Sequence, residues 1–140
     1  MKNDKVALFN KLMFKLSINL IVDAAYCDNK RLDGEAVLYS DGSINVYLAD
    51  INDQSTLLHE LVHAIQFRTG GFRFNVNQLR GWLTFHGIPV DEVFFREFLE
   101  YWRVSRYAPE LLEYELLAHY CEQASNGYEA FKLLVAKSNV

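Results

Sequence analysis

The chain has 140 residues, 51% of them apolar and 23% charged, with a formal net charge of −4 at pH 7. That length and balance predict one globular domain, residues 1–140, with a sizeable core, and exclude a disordered chain. The acidic balance disfavours a nucleic-acid partner, and no apolar run approaches the roughly 20 residues that a membrane helix needs.

The N-terminal stretch carries charge at Lys2 and Lys5, but Lys11 and Lys15 interrupt the apolar residues beyond them, so no secretory signal is expected. Instead Val6, Phe9, Met13 and Leu16 recur at spacings of three and four, which predicts a helix over 4–16. The period then changes. Ile18 to Val22 opens a β-rich segment, Asp28-Asn29-Lys30 reads as a turn, and Asp41-Gly42 joins strands 36–40 and 43–49 as a hairpin. In the second of these strands Ile44, Val46 and Leu48 face one way, Asn45 and Tyr47 the other. Asp53, Ser55 and Thr56 offer start residues for a helix that runs to about Arg68 and stops at Gly70-Gly71. Residues 72–89 show no long element, being broken by Gly81, Gly87 and Pro89. An aromatic-rich helix is expected from Asp91 to about Arg106, another over 109–124 with Pro109 in its first turn, and a last one capped by Asn126 and ending near Lys137. The expected fold class is α+β, a small antiparallel sheet with helices on one side. Cys27 and Cys121 belong to no Cys-x-x-Cys pair and make no disulfide framework, so a reducing, cytoplasmic setting is expected, with both thiols buried and inert.

One pentapeptide carries chemistry: His59-Glu60-Leu61-Val62-His63, inside the apolar helix predicted before Gly70. Two histidines four apart stand above one another on one helix face, so both imidazoles reach a single metal ion. Glu60 lies about 100° further round, where it reaches a water without being a ligand. A buried pair of uncharged imidazoles beside a carboxylate needs partners, and a metal supplies them. The pattern suits zinc-assisted hydrolysis, with Glu60 as general base. Such a site needs a third protein ligand, and the downstream candidates are His86, Glu113, Glu115, His119 and Glu122. Glu113 and Glu115 lie some 200° apart on a helix and cannot both face the ion. Glu115, Ala118, His119 and Glu122 share one face, and the small Ala118 allows close approach to the motif helix. Glu115 is favoured on that ground, with His119 as its competitor.

Leu57 to Gln66, followed by Tyr114-Glu115-Leu116-Leu117-Ala118, resembles the gluzincin metallopeptidases. The likeness is greatest to their minimal single-domain members, the minigluzincin and ImmA/IrrE-like proteins of phages and bacteria. It implies a zincin-like fold, with an N-terminal helix, a small sheet, the His-Glu-x-x-His helix and a later helix bearing Glu-x-x-Ala. It also implies zinc held by His59, His63 and Glu115, with Glu60 as catalytic base, in a peptidase acting on protein or peptide substrates. Some gluzincins carry an acidic residue four positions after the ligand glutamate, where this chain has His119. SprT-like DNA-associated proteases share a similar helix pair but use a third histidine, and the acidic charge counts against them. A catalytically silent module that keeps the fold is a further alternative, to which Glu60 would be of no use.

Tyr114 and Tyr120 are both candidates to donate to a developing oxyanion. The aromatic stripe 94–102 is read as core packing rather than a cleft. Residues 43–50 are expected to form an edge strand beside the metal, to which an extended peptide substrate adds.

Overall fold

A computed structural model describes residues 2–105 and 108–139. The chain is α+β, with seven α-helices and one mixed three-stranded sheet among the described residues. Helix α1, Lys2–Lys15, buries Phe9 and Leu12, with Leu16 just beyond it, and leaves Val6 exposed. The apolar stripe therefore runs through Leu12, while Met13, expected on it, is only partly buried. Strand β1, Ile18–Val22, comes directly after it.

Where a turn was expected at 28–30 the chain makes a short helix, α2, Ala24–Lys30. The Asp23 side chain accepts a hydrogen bond from the Tyr26 N–H, and Arg31 closes the helix in the left-handed region at φ 58°. Two turns are too few for a hydrophobic period to register, and Asp-Asn-Lys looks like a turn by composition alone. The hairpin forms as expected from β2, Gly34–Leu38, and β3, Ile44–Leu48, with Gly42 at φ 87° in the turn.

The sheet order is β1-β3-β2, with β1 parallel and β2 antiparallel to β3. Two expectations are corrected by this. The sheet is mixed rather than antiparallel, because the passage through α2 brings β1 alongside the far side of β3 in the same direction. Side-chain alternation fixes which face is buried, not strand direction. And β3 is the central strand, paired on both sides, so it offers no edge to a peptide. Its inward residues Ile44, Val46 and Leu48 are fully buried, as the alternation required.

Helix α3, Gln54–Thr69, is the centre of the molecule. The Asp53 carboxylate caps it by accepting from the Thr56 N–H and hydroxyl, and Gly70 ends it in the left-handed conformation. It packs against β2 and β3 on one side and against the C-terminal helices on the other. Everything from Thr56 to Gln66 except His59 is buried. At its C-terminal end the Arg68 guanidinium donates to the carbonyls of Leu16 and Gly42, tying α3 to the end of α1 and to the hairpin turn.

The segment that showed no clear element contains α4, Val76–Phe85, opened by a reciprocal capping box between Asn75 and Gln78. Helix α5, Glu92–Val104, starts at the Asp91 cap as expected; its predicted end at Arg106 lies outside the described residues. A 3₁₀ turn at Pro109–Leu111 leads into α6, Leu112–Gln123, and α7, Gly127–Ser138, closes the fold. Asn126 stands at the start of α7 without capping it. Its side chain accepts from the Tyr120 hydroxyl and donates to the Pro89 carbonyl, joining α6 to the loop before α5. No helix among the described residues is long and apolar enough to cross a membrane.

Gly34 sets how closely β2 approaches α3. A Cβ built there would lie 2.6 Å from Thr56 Cγ2 and 2.9 Å from the Tyr47 carbonyl oxygen, distances that real contacts do not reach. Gly34→Ala is expected to lower unfolding free energy by about 1–3 kcal/mol, as overpacking does. Urea unfolding followed by circular dichroism checks this; an unchanged midpoint would contradict the tight approach.

Candidate metal centre

Helices α3 and α6 build the site between them, Ala118 and the fully buried leucines Leu61 and Leu117 lying within the surrounding core. The α6 carboxylate of Glu115 reaches both motif histidines: Oε1 lies 2.6 Å from His63 Nε2, and Oε2 lies 3.6 Å from His59 Nε2. His119, one turn further along α6, puts its Nε2 3.4 Å from Glu115 Oε2 and sets its ring edge-on to His59. Glu60, beside His59 on α3, is buried and lines the cavity over this cluster. Within each of two overlapping groups, His59-Glu60-His63 and His59-Glu115-His119, the ligand atoms lie within 4.8 Å of one another, so this His/Glu cluster could hold a metal ion.

The opposite nitrogen of each motif imidazole is already bonded. His59 Nδ1 lies 2.9 Å from Glu122 Oε1, and a carboxylate can only accept there. His63 Nδ1 lies 2.8 Å from Gln66 Oε1. The Gln66 amide nitrogen donates to the carbonyls of Phe72 and Tyr114, which leaves its oxygen to accept from His63. Both imidazoles thus carry hydrogen on Nδ1 and turn the Nε2 lone pair towards Glu115 when neutral. That tautomer and orientation are what a metal ligand requires.

The crowding sets the electrostatics. Burial alone would lower the His59 pKa, but hydrogen bonds with Glu115 and Glu122 raise it to about 10. Burial likewise works against ionising Glu115, yet hydrogen bonds with His119, His59 and His63 hold it well below the usual carboxylate range. Glu60 differs from Glu115. Its burial pushes the carboxyl above its ordinary value, opposed by the nearby His59 and His63 and by a hydrogen bond from the Ala36 backbone N–H. Two neighbouring carboxylates are thereby driven apart, one firmly ionised and one disposed to take a proton.

A cavity of about 480 Å³ opens over the cluster, lined by His59, Glu60, His63, Tyr114 and Glu115 and by residues of β2. Ser43 and Ala49 mark the hydrogen-bonded ends of the hairpin, pairing with Tyr39 and Asp33. By alternation, Gly34, Ala36 and Leu38 turn their backbone groups away from β3, and Gly34 and Ala36 line this cavity.

Of the other sequence candidates, His86 ends α4 and packs edge-on against Trp82, and Glu113 is exposed; neither joins the cluster. The two tyrosines separate as well. Tyr120 is fully buried, its hydroxyl engaged by the Asp91 N–H and by Asn126, while Tyr114 stacks on His63 at 4.1 Å and lines the cavity. Gln66 and the orienting role of Glu122 went unrecognised in the sequence. The available signal was spacing: Gln66 is three after His63, and Glu122 seven after Glu115, both on the inward faces of their helices.

Comparisons with protein families, with curated proteins and with solved structures find no match to this chain.

Two outcomes are expected. Glu122→Ala should weaken metal binding by about 10–100-fold through loss of the His59 partner, measured by chelator competition. Because His59 stays protonated to about pH 10 in the metal-free protein, an ion must displace that proton. Calorimetric titration with zinc at pH 7, in two buffers of different ionisation heat, should show release of about one proton per ion from this group. Zero release would contradict the assignment.

Proposed function

We propose that this chain is a zinc-dependent metallopeptidase of the gluzincin type, an endopeptidase acting on extended protein or peptide segments. The observation that carries the reading is the convergence of His59 Nε2, His63 Nε2 and the Glu115 carboxylate, with Glu60 beside them and both Nδ1 atoms already tethered. Two imidazoles and one carboxylate form a borderline-soft donor set of three, the number that catalytic zinc sites use while keeping one position open. Zinc bound there would acidify a water and polarise a peptide carbonyl. Glu115 is preferred to His119 as third ligand because its carboxylate lies against both motif histidines. That preference also favours the gluzincin reading over the SprT-like one.

Glu60 supplies the proton relay. Its raised affinity for protons suits a base that takes one from the attacking water and hands it to the leaving amine. Tyr114, whose burial keeps the phenol protonated, stands in the cavity wall as a donor for the developing oxyanion. The peptide edge assigned in the sequence to residues 43–50 belongs on β2 instead. The outward backbone groups of Gly34 and Leu38 and the Ala36 carbonyl offer an extended main chain its ladder bonds beside the cluster. A silent module of the same fold has no use for a buried carboxylate at Glu60, whose desolvation costs stability.

Glu60→Gln should keep zinc and lose at least about 100-fold in kcat/KM on a cleaved peptide, whereas His63→Ala should lose both metal and activity. Loss of zinc from Glu60→Gln would make Glu60 a ligand and overturn the mechanism.

A further inference from the structure

We propose that the cavity between α5 and α6 is a specificity subsite that seats a lysine or arginine side chain of the bound peptide. The inference rests on the peptidase reading above. This second cavity, about 600 Å³, adjoins the first: His119 and Gln123 line both. His119 is 3.4 Å from Glu115, so a side chain entering here belongs to a residue close to the bond being cut.

Two features select the occupant. The walls are aromatic. Phe94 and Phe98 are stacked at 5.4 Å, Phe98 lies 5.0 Å from the His119 ring, and Tyr101, 47% exposed, stands at the mouth. The stripe packs in the core as expected, with Phe94, Phe95 and Phe98 all buried; Phe94 and Phe98 also border this cavity, and Tyr101 is the exposed member.

The charge is acidic. Glu97 and Asp91 line the cavity, and among the described residues no lysine or arginine does. Both Asp91 oxygens already accept backbone N–H groups, from Phe94 and Ser125, so Asp91 contributes field rather than contact. Glu97 is exposed, one helical turn from Tyr101, and forms no ion pair among the described residues. A long basic side chain satisfies both features. Its methylenes run along the edges of Phe94 and Phe98 that border the cavity, its cation comes beside the half-exposed Tyr101 ring, and its head group meets the Glu97 carboxylate. An acidic side chain would be repelled. A purely aliphatic one would fill the space without using Glu97.

The test uses zinc-loaded Glu60→Gln protein and fluorescently labelled peptides of one sequence. Lysine, norleucine or glutamate is placed at each position in turn, and binding is read by polarisation. At one position, lysine is expected to bind at least about tenfold tighter than norleucine, with glutamate weakest. Adding Glu97→Gln should bring the lysine-to-norleucine ratio near one, and Glu97→Lys should place glutamate ahead of lysine. Glu100→Gln, outside the cavity and paired with Arg103, should leave the ratio unchanged. The wild-type protein should rank the same peptides alike in kcat/KM. Equal or tighter binding of norleucine at every position, or a ratio indifferent to Glu97, would overturn the subsite even if cleavage is seen. The expected ranking without cleavage by the wild type would uphold the subsite and overturn the hydrolytic reading. Absence of binding by every peptide would overturn the subsite.

Discussion

Burial of polar groups on α3 is the constraint that shapes the rest of the molecule. A helix placed between a sheet and two further helices should be apolar all round, yet this one carries His59, Glu60, His63 and Gln66 into the interior. Each buried imidazole or carboxylate left without a partner would cost several kcal/mol. The two histidines and the glutamine are accordingly met. Gln66 holds His63 and reaches across to the Phe72 and Tyr114 carbonyls, Glu122 holds His59, and Glu115 faces both imidazoles. The turn after α3 and the first turn of α6 are thus fixed by one glutamine, which also fixes the tautomer of the deeper histidine.

Close approach is the second requirement, and small residues supply it from both sides. Ala118 lies on the face of α6 that carries Glu115, His119 and Glu122, where a larger side chain would push the helix outward. Gly34 does the same for β2, whose edge comes near enough for the Ala36 N–H to bond Glu60. The contrast between Glu60 and Glu115 arises from these placements. Glu115 lies among imidazoles that favour its charge. Glu60 lies against the edge of the sheet with less compensation, so burial dominates. One residue type thus provides both a firmly ionised carboxylate and one disposed to take a proton.

The motif helix, its caps, the hairpin and the face of α6 that carries Glu115 and His119 were legible because each depends on local spacing. Asp53 and Gly70 bound α3 as their positions require, and Asp41-Gly42 makes its turn. Direction and neighbourhood were not legible. Nothing in Ile18 to Val22 states that the strand runs parallel to β3, and so the strand next to the site proved to be β2. The aromatics of α5 have the spacing of a core stripe and Phe94, Phe95 and Phe98 are buried accordingly; that Phe94, Phe98 and Tyr101 also border a cavity depends on the placement of α6. Gln66 and Glu122 escaped notice because their partners lie on other elements or on a histidine whose free nitrogen the sequence does not reveal.

The central claim is that Glu115 completes a three-ligand site with His59 and His63. Metal analysis after equilibrium dialysis against micromolar zinc tests it directly, comparing the native chain with Glu115→Ala under conditions where circular dichroism shows both folded. One zinc per chain is expected in the native protein and little or none in the variant. Full occupancy in folded Glu115→Ala, or none in the native chain, would contradict it.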